Sequence, residues 1–314
     1  MATAAGPSVR LQLAPFEKLT LADALGLAPA ALRVAQKLEE PVLATTLVSG
    51  GGLVLGSLQR REAYEGDALV RYTTGPCAMV AGLAFHHVFA LPSLSAVAPD
   101  ANRRNLLNRY VRGFLRGYSK LGVQAQYVGR EFISLGRRPC GVLGYELTAD
   151  GGLVLEVLVG LDAAVLTPSG EAEPAASLFE LVRARDPADL VASIHQGFVA
   201  KWQLEPAELG LAPEALPRRR ESLGDFVRRR VPVGWLEAAA SLGETASVRL
   251  AGDVLSAHVA VEAVESRATA ALLAGRAIDG SVVAPLVEGP LDGALPEDAR
   301  LVLDEACRRA AELV

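Results

Sequence analysis

The chain has 314 residues, 51% of them apolar, and a formal net charge of −5. That length buries a substantial core, and the composition is globular rather than disordered. The acidic balance offers no global field for nucleic acid or an anionic membrane, and no stretch supplies the roughly 18 apolar residues that a membrane span needs.

The basic charge consists of 27 Arg and only four Lys (Lys18, Lys37, Lys120 and Lys201), so a mechanism that needs lysine has four candidates. The N-terminal stretch "MATAAGPSVRLQLAPFEKLT" lacks a basic region followed by a sustained apolar one, the pattern of a secretory signal. Cys77, Cys140 and Cys307 lie far apart without CxxC spacing, and His86, His87, His195 and His258 have no metal-ligand spacing. These features read as a reduced, cytoplasmic protein with no metal site.

In chain order, 19–40 reads as helix with a break at Pro29, and 41–60 as strand, glycine turn, strand. Residues 66–92 hold two β-rich segments around a Thr-Thr-Gly-Pro-Cys corner. The clearest helix spans 103–120, with Leu107, Tyr110, Val111, Phe114 and Tyr118 on its apolar face and Leu121-Gly122 ending it. Residues 123–166 read as three or four strands, with "DGG" at 150–152 as a hairpin signal. A loop over 167–177 precedes helices at about 178–184 and 187–202. Residues 208–235 form a charged, proline-rich connector flanking a short helix; then come a strand "ASVRLAGDVLS", a helix around 258–274 and a closing helix "PEDARLVLDEACRRAAEL". The sum is an α+β fold with a mostly antiparallel sheet flanked by helices, divided into 1–235 and a small α/β accessory domain at 236–314.

Three segments carry a resemblance. "VLGSLQR", Val54 to Arg60, is similar to a strand ending in Gly-x-x-Gln. "LVRYTTGPCAMV", Leu69 to Val80, resembles a loop Arg-Arg-x-Thr-Gly-Gly-Gly-Ala-Val, with Arg71, Thr74, Gly75 and Ala78 in matching places. "REFISLGRRPCGVLGYE" resembles an acidic-apolar strand, Gly-Arg-Lys, a turn ending in Gly and another strand, with Glu131, Gly136, Arg137 and Gly141 matching. In this order and spacing the segments resemble the lipoate–protein ligase family of the biotin/lipoate ligase superfamily, over about residues 15–205. The resemblance implies activation of lipoate or octanoate with Mg-ATP to an acyl-adenylate, then transfer to a lysine of an acceptor domain. Glycines would let main-chain N–H groups approach the adenylate, and a fixed cation would stabilise the developing oxyanion charge.

The departures sit in the same segments. Tyr72 replaces the loop's second arginine, Pro76 and Cys77 replace two of its glycines, and Arg138 stands where the catalytic lysine belongs. Pro76 removes an N–H donor, Cys77 adds a side chain beside the ligand, and Arg138 keeps the charge on a bulkier planar fork. Three readings follow: an ATP-dependent ligase with Arg138 as its catalytic cation, a degenerate member that binds an acyl ligand or lipoylated partner without turnover, and altered acyl chemistry through a Cys140 nucleophile. His86 and His87 follow the loop on a strand, which turns one inward, as a hydrogen-bonded core histidine or, for His86, a candidate ligand contact, and leaves its neighbour exposed. Arg109, Arg112 and Arg116 recur opposite the apolar face of the 103–120 helix with no acid in the helix to pair, a candidate surface for an acidic lipoyl acceptor domain of a 2-oxoacid dehydrogenase or glycine-cleavage protein.

Overall fold

The computed structural model describes residues 9–60, 67–127, 131–165, 175–183, 186–216, 224–231, 234–287 and 294–312. Its centre is a nine-stranded sheet assembled from both ends of the first two thirds of the chain. The middle strands are β3 (Val42–Ser49), β7 (Ala84–Leu91), β11 (Leu153–Gly160) and β10 (Arg138–Leu147), each antiparallel to the next. Beyond β10 follow β9 (Phe132–Leu135) and β8 (Ala125–Tyr127), again antiparallel. On the other side, β1 (Arg10–Leu13) pairs parallel with both β3 and β12 (Glu205–Glu208), and β2 (Lys18–Thr20) pairs parallel with the far end of β3.

Both faces of this sheet are covered, so β7 and β11 are buried along their whole length. One face packs on α3 (Leu106–Lys120) and α5 (Pro187–Trp202), around Phe89, Phe114, Phe198 and Tyr110. Phe198 meets Phe89 and Phe114 edge-to-face, both at 4.7 Å between ring centroids. The two helices cross in near backbone contact, because a Cβ on Gly197 would lie 2.3 Å from the Gly117 nitrogen and one on Gly113 would strike the Phe198 ring at 2.6 Å. The expected apolar face of α3 is buried as expected: Leu107, Tyr110, Val111, Phe114 and Tyr118 all face the sheet.

The opposite face is covered by α1 (Leu21–Leu25), α2 (Leu27–Leu38) and a three-stranded sheet of β4 (Gly52–Leu55), β5 (Ala68–Val70) and β6 (Ala78–Val80). The helical break in this region falls at Gly26 and not at the expected Pro29. A side chain at Gly26 would collide with the Glu214 carbonyl at 2.3 Å, whereas Pro29 sits in the first turn of α2, where no N–H is needed. Short α4 (Leu178–Leu181) opens with a capping box between Ser177 and Glu180.

A second three-stranded sheet follows: β13 (Val227–Val231), β14 (Gly234–Ser241) and β15 (Ser247–Gly252), antiparallel throughout. With α6 (His258–Leu273), α7 (Gly280–Val287) and α8 (Ala294–Glu312) it encloses its own apolar cluster around Leu236, Leu250, Val261 and Leu303. Within the 208–235 connector, residues 217–223 lie outside the described residues. The part after them is strand rather than helix, since Arg228–Arg230 alternate against Glu237, Leu236 and Trp235 of β14.

Candidate functional site

The site grows from a gap in the sheet. Among the described residues β9 pairs with β10 from Arg138 to Val142, and the Leu143 N–H adds one bond to the Glu131 carbonyl at 2.7 Å, so the upper half of β10 presents one open margin. The corner between β5 and β6 fills it: Thr74 donates its N–H (3.1 Å) and its hydroxyl (3.0 Å) to the Tyr145 carbonyl. Gly144 makes this approach feasible, because a Cβ there would lie 2.4 Å from the Thr73 hydroxyl and 2.5 Å from the Thr74 carbonyl.

Arg71, at the start of this corner, is fully buried. Its Nη2 donates to the Pro76 carbonyl at 2.9 Å and reaches the Leu143 carbonyl at 3.5 Å, while its Nε and Nη1 have no partner among the described residues. Burial lowers its pKa, and the Glu156 carboxylate works against that shift. Gly75 follows at φ +120°, a conformation that glycine holds without strain, and a Cβ on it would sit 2.6 Å from Arg71 Nη2. From behind, Gly56 of the "GSLQR" stretch backs this loop so closely that its own Cβ would lie 2.1 Å from the Gly75 carbonyl.

Beneath the corner lies a buried polar group that the sequence reading missed. Glu156 projects from the middle of β11, fully buried, and accepts from the Thr73 N–H at 3.1 Å, from the Thr73 hydroxyl, and from His86 Nε2 at 2.9 Å. Burial pushes the Glu156 carboxyl up, but His86, Arg71 and Thr73 together hold it below the ordinary carboxylate value. His86 is thus joined to Arg71's corner through Glu156 and Thr73. The signal for Glu156 was a lone carboxylate within "LVLEVLV", an apolar strand buried on both faces.

The expectation that one of His86 and His87 would be exposed is corrected: both are fully buried, because helices cover the second face of the sheet as well. His87 lies between the hydroxyls of Tyr118 (2.7 Å) and Thr45 (3.0 Å), and burial, followed by the charges of His86 and His195, lowers its pKa to about 3. This has a thermodynamic consequence. Unfolded His87 takes a proton near 6.5 and folded His87 only near 3, so between these values the unfolded state binds more protons. Stability present at neutral pH is therefore lost as pH falls through this window, and the depressed Glu156 carboxyl acts in the same direction. Urea melts at pH 7 and pH 5 should differ by about 2 kcal/mol from His87 alone, a difference that His87→Gln should largely remove.

The other predicted residues sit elsewhere. Gly136 (φ +56°) and Arg137 (φ +70°) are the two exposed central residues of the β9–β10 hairpin, with both left-handed conformations that a tight turn of this hand requires. Arg138 opens β10 and donates to Glu180 at 2.8 Å and to the Ala175 carbonyl at 2.9 Å. It lies five residues before Leu143 on the same strand, roughly 17 Å at about 3.3 Å per residue. Gly141 sits on β10 beyond a bulge, packed against Val159 and Val157. Cys77 and Ala78 turn into the core under β4 rather than toward the corner's surface. Cys140 is buried, and burial, with Glu180 next, pushes its thiol up to about 12, away from the low values of reactive thiolates.

On α3, Arg112 and Arg116 are exposed, but Arg109 is half-buried and pairs with Asp100 in the loop before the helix, an acid outside the helix that the reading of α3 alone did not include. A separate cavity of about 430 Å³ opens at the ends of β1 and β12, lined by Leu13, Phe16, His195 and Glu208 among others. Among the described residues no cluster of three or more His, Cys, Asp or Glu is placed to hold a metal ion, and no helix is long and apolar enough to cross a membrane.

Comparison with solved structures places this architecture. The chain superposes on P. falciparum LipL1 in complex with lipoate with a TM-score of 0.58 at 11% identity, over 82% of this chain and 88% of that one. It superposes on a lipoate-protein ligase A bound with ATP with a TM-score of 0.52 at 16% identity, over 65% and 89%. A bipartite lipoate protein ligase from the archaeon Thermoplasma acidophilum, described together with its E2 lipoyl domain, gives 0.51 at 13% identity, over 64% and 87%. The class defined by the sheet, its helices and the corner at β10 is thus an α+β ligase-type fold. More narrowly, it is the fold of the lipoate–protein ligases. No protein-family model matches the sequence, and no curated protein matches it.

Proposed function

We propose that the chain is a lipoate–protein-ligase-like enzyme that activates lipoate or a related acyl acid with ATP and passes the acyl group to a lysine of an acceptor domain. One observation carries the reading beyond the fold. The corner at Arg71–Gly75 holds a buried guanidinium whose Nε and Nη1 have no partner among the described residues, beside a glycine whose backbone alone can approach a ligand. Such donors suit the carboxylate of an acid or the phosphate of its adenylate. Arg71, Thr74 and Gly75 would hold that group, and Mg²⁺ would arrive on the phosphates of ATP. Exposed Arg112 and Arg116 on α3 suit an acidic acceptor, and the T. acidophilum ligase was described with an E2 lipoyl domain.

The experiment is ATP–pyrophosphate exchange with lipoate, octanoate or biotin as the driving acid. Exchange driven by lipoate or octanoate is the expected result. A second reading is favoured by the ties of Arg138 to Glu180 and Ala175 and by Pro76, which brings no N–H to the corner. In that reading the protein binds an acyl ligand without turnover, and calorimetry with lipoate shows binding where no acid drives exchange.

A further inference from the structure

The Gly75 side of the corner is covered by the protein's own chain. Between β15 and α6, residues Asp253–Ala257 pass directly over it. The Val254 carbonyl accepts the Gly75 N–H at 2.9 Å, so the corner's most approachable donor is already used. Leu255, 2% exposed, leaves the C-terminal cluster and joins the core of the main sheet with Leu143 and Tyr145. Its Cδ1 lies 3.3 Å from where a Cβ on Gly75 would be, the same point that is 2.6 Å from Arg71 Nη2.

The segment is held at both ends. Upstream, the Asp253 N–H bonds the Trp235 carbonyl at 2.7 Å, the Asp253 carboxylate accepts from the Trp235 N–H at 2.7 Å, and it also binds Gln59 of the "GSLQR" stretch. Downstream, Glu146 of β10 caps α6 by accepting the His258 N–H at 3.0 Å and pairs with the His258 ring. Arg60 and Glu237, both nearly buried, add a 2.6 Å ion pair beside these contacts.

The fit is incomplete at one point, which is informative. The segment gives Gly75 an acceptor but leaves Arg71 Nε and Nη1 unmatched in a fully buried position, where unpaired donors are costly. Of the two groups, the segment satisfies only Gly75.

We propose that Asp253–Ala257 is an internal plug. It competes with an anionic acyl ligand for the Gly75 N–H and, through Leu255, for the apolar space beside it, so ligand entry requires its displacement. The plug rests on the acyl-ligand reading above. Its latch is the Glu146–His258 contact at the rim, and its stopper is Leu255.

The test compares the full-length protein with Leu255→Ala and, as a milder change at the partly exposed rim, His258→Ala. Lipoate binding is read by calorimetry, and amide exchange is read over 71–77 and 253–258. Both variants should bind lipoate about tenfold or more tightly than the parent, because the fraction of open molecules rises. Amides of 71–77 and 253–258 should lose protection together in the variants, and in the parent lipoate should deprotect 253–258 while protecting 71–77. Equal lipoate affinity in all three proteins overturns the plug. If none of them binds lipoate, the acyl-ligand reading fails and the plug fails with it, whereas measurable but equal affinity overturns the plug alone.

Discussion

Glu156→Ala is expected to destabilise the protein by about 3–5 kcal/mol, because it removes the carboxylate that several fully buried groups share. Thr73 would lose the acceptor for both its N–H and its hydroxyl, His86 Nε2 would lose its only described partner, and Arg71 would lose the nearby negative charge that opposes its desolvation. The penalty comes from what stays behind, since each of these groups remains buried with its donors unmatched. Glu156→Gln keeps an acceptor for Thr73 and should lose distinctly less. Urea unfolding midpoints of the two variants against the parent check this. A loss below about 1 kcal/mol for Glu156→Ala would mean that the corner reorganises around the missing carboxylate.

Gly144→Ala is expected to act on the site more than on the core. The added methyl meets the Thr73 hydroxyl at 2.4 Å, the Thr74 carbonyl at 2.5 Å and Arg71 Cζ at 2.7 Å, none of which is the loose end of a flexible chain. The corner must therefore move off β10 by something near an ångström, and a displacement of that size in a positioning loop costs about 10²-fold in rate. Lipoate-driven pyrophosphate exchange should fall by that factor while the far-UV spectrum stays that of the parent. Unchanged exchange would separate the Arg71–Gly75 corner from the chemistry.

Much of the architecture was legible from periodicity. The apolar face of α3 and the β10–β11 hairpin at "DGG" rest on local signals, a stripe at helical spacing and a turn dipeptide, that tertiary context reinforced. The elements that were not legible are those whose reason to exist is non-local. β12 is "EPAE", four largely exposed residues with no strand propensity, and it is a strand because β1 offers a parallel backbone ladder. β13 is "VRRRV", which reads as a charged connector until Glu237 and Asp298 meet its arginines.

The candidate site divides along the same line. Arg71, Thr74 and Gly75 were singled out by sequence and do form one corner. Thr73, Gly144 and Glu156 were not, although Gly144 and Glu156 are the residues that let the corner settle on β10 and tie it to His86. A glycine and a glutamate inside otherwise apolar strands were the available signals, and each is a local irregularity whose meaning appears only when the neighbouring strand is known. Val254 and Leu255 were read only as the end of the strand "ASVRLAGDVLS", which closes at Gly252, and an apolar pair at a strand end is indistinguishable from ordinary core.

The near-contact of backbones between α3 and α5 has a consequence for whatever docks on the outer surface of α3. With Gly117 seated against Gly197 and Gly113 under the Phe198 ring, α3 has no room to slide, roll or change register on the sheet. Arg112 and Arg116 are therefore carried on a preorganised platform, and a partner that meets them spends its binding energy on ordering two side chains rather than a segment of backbone.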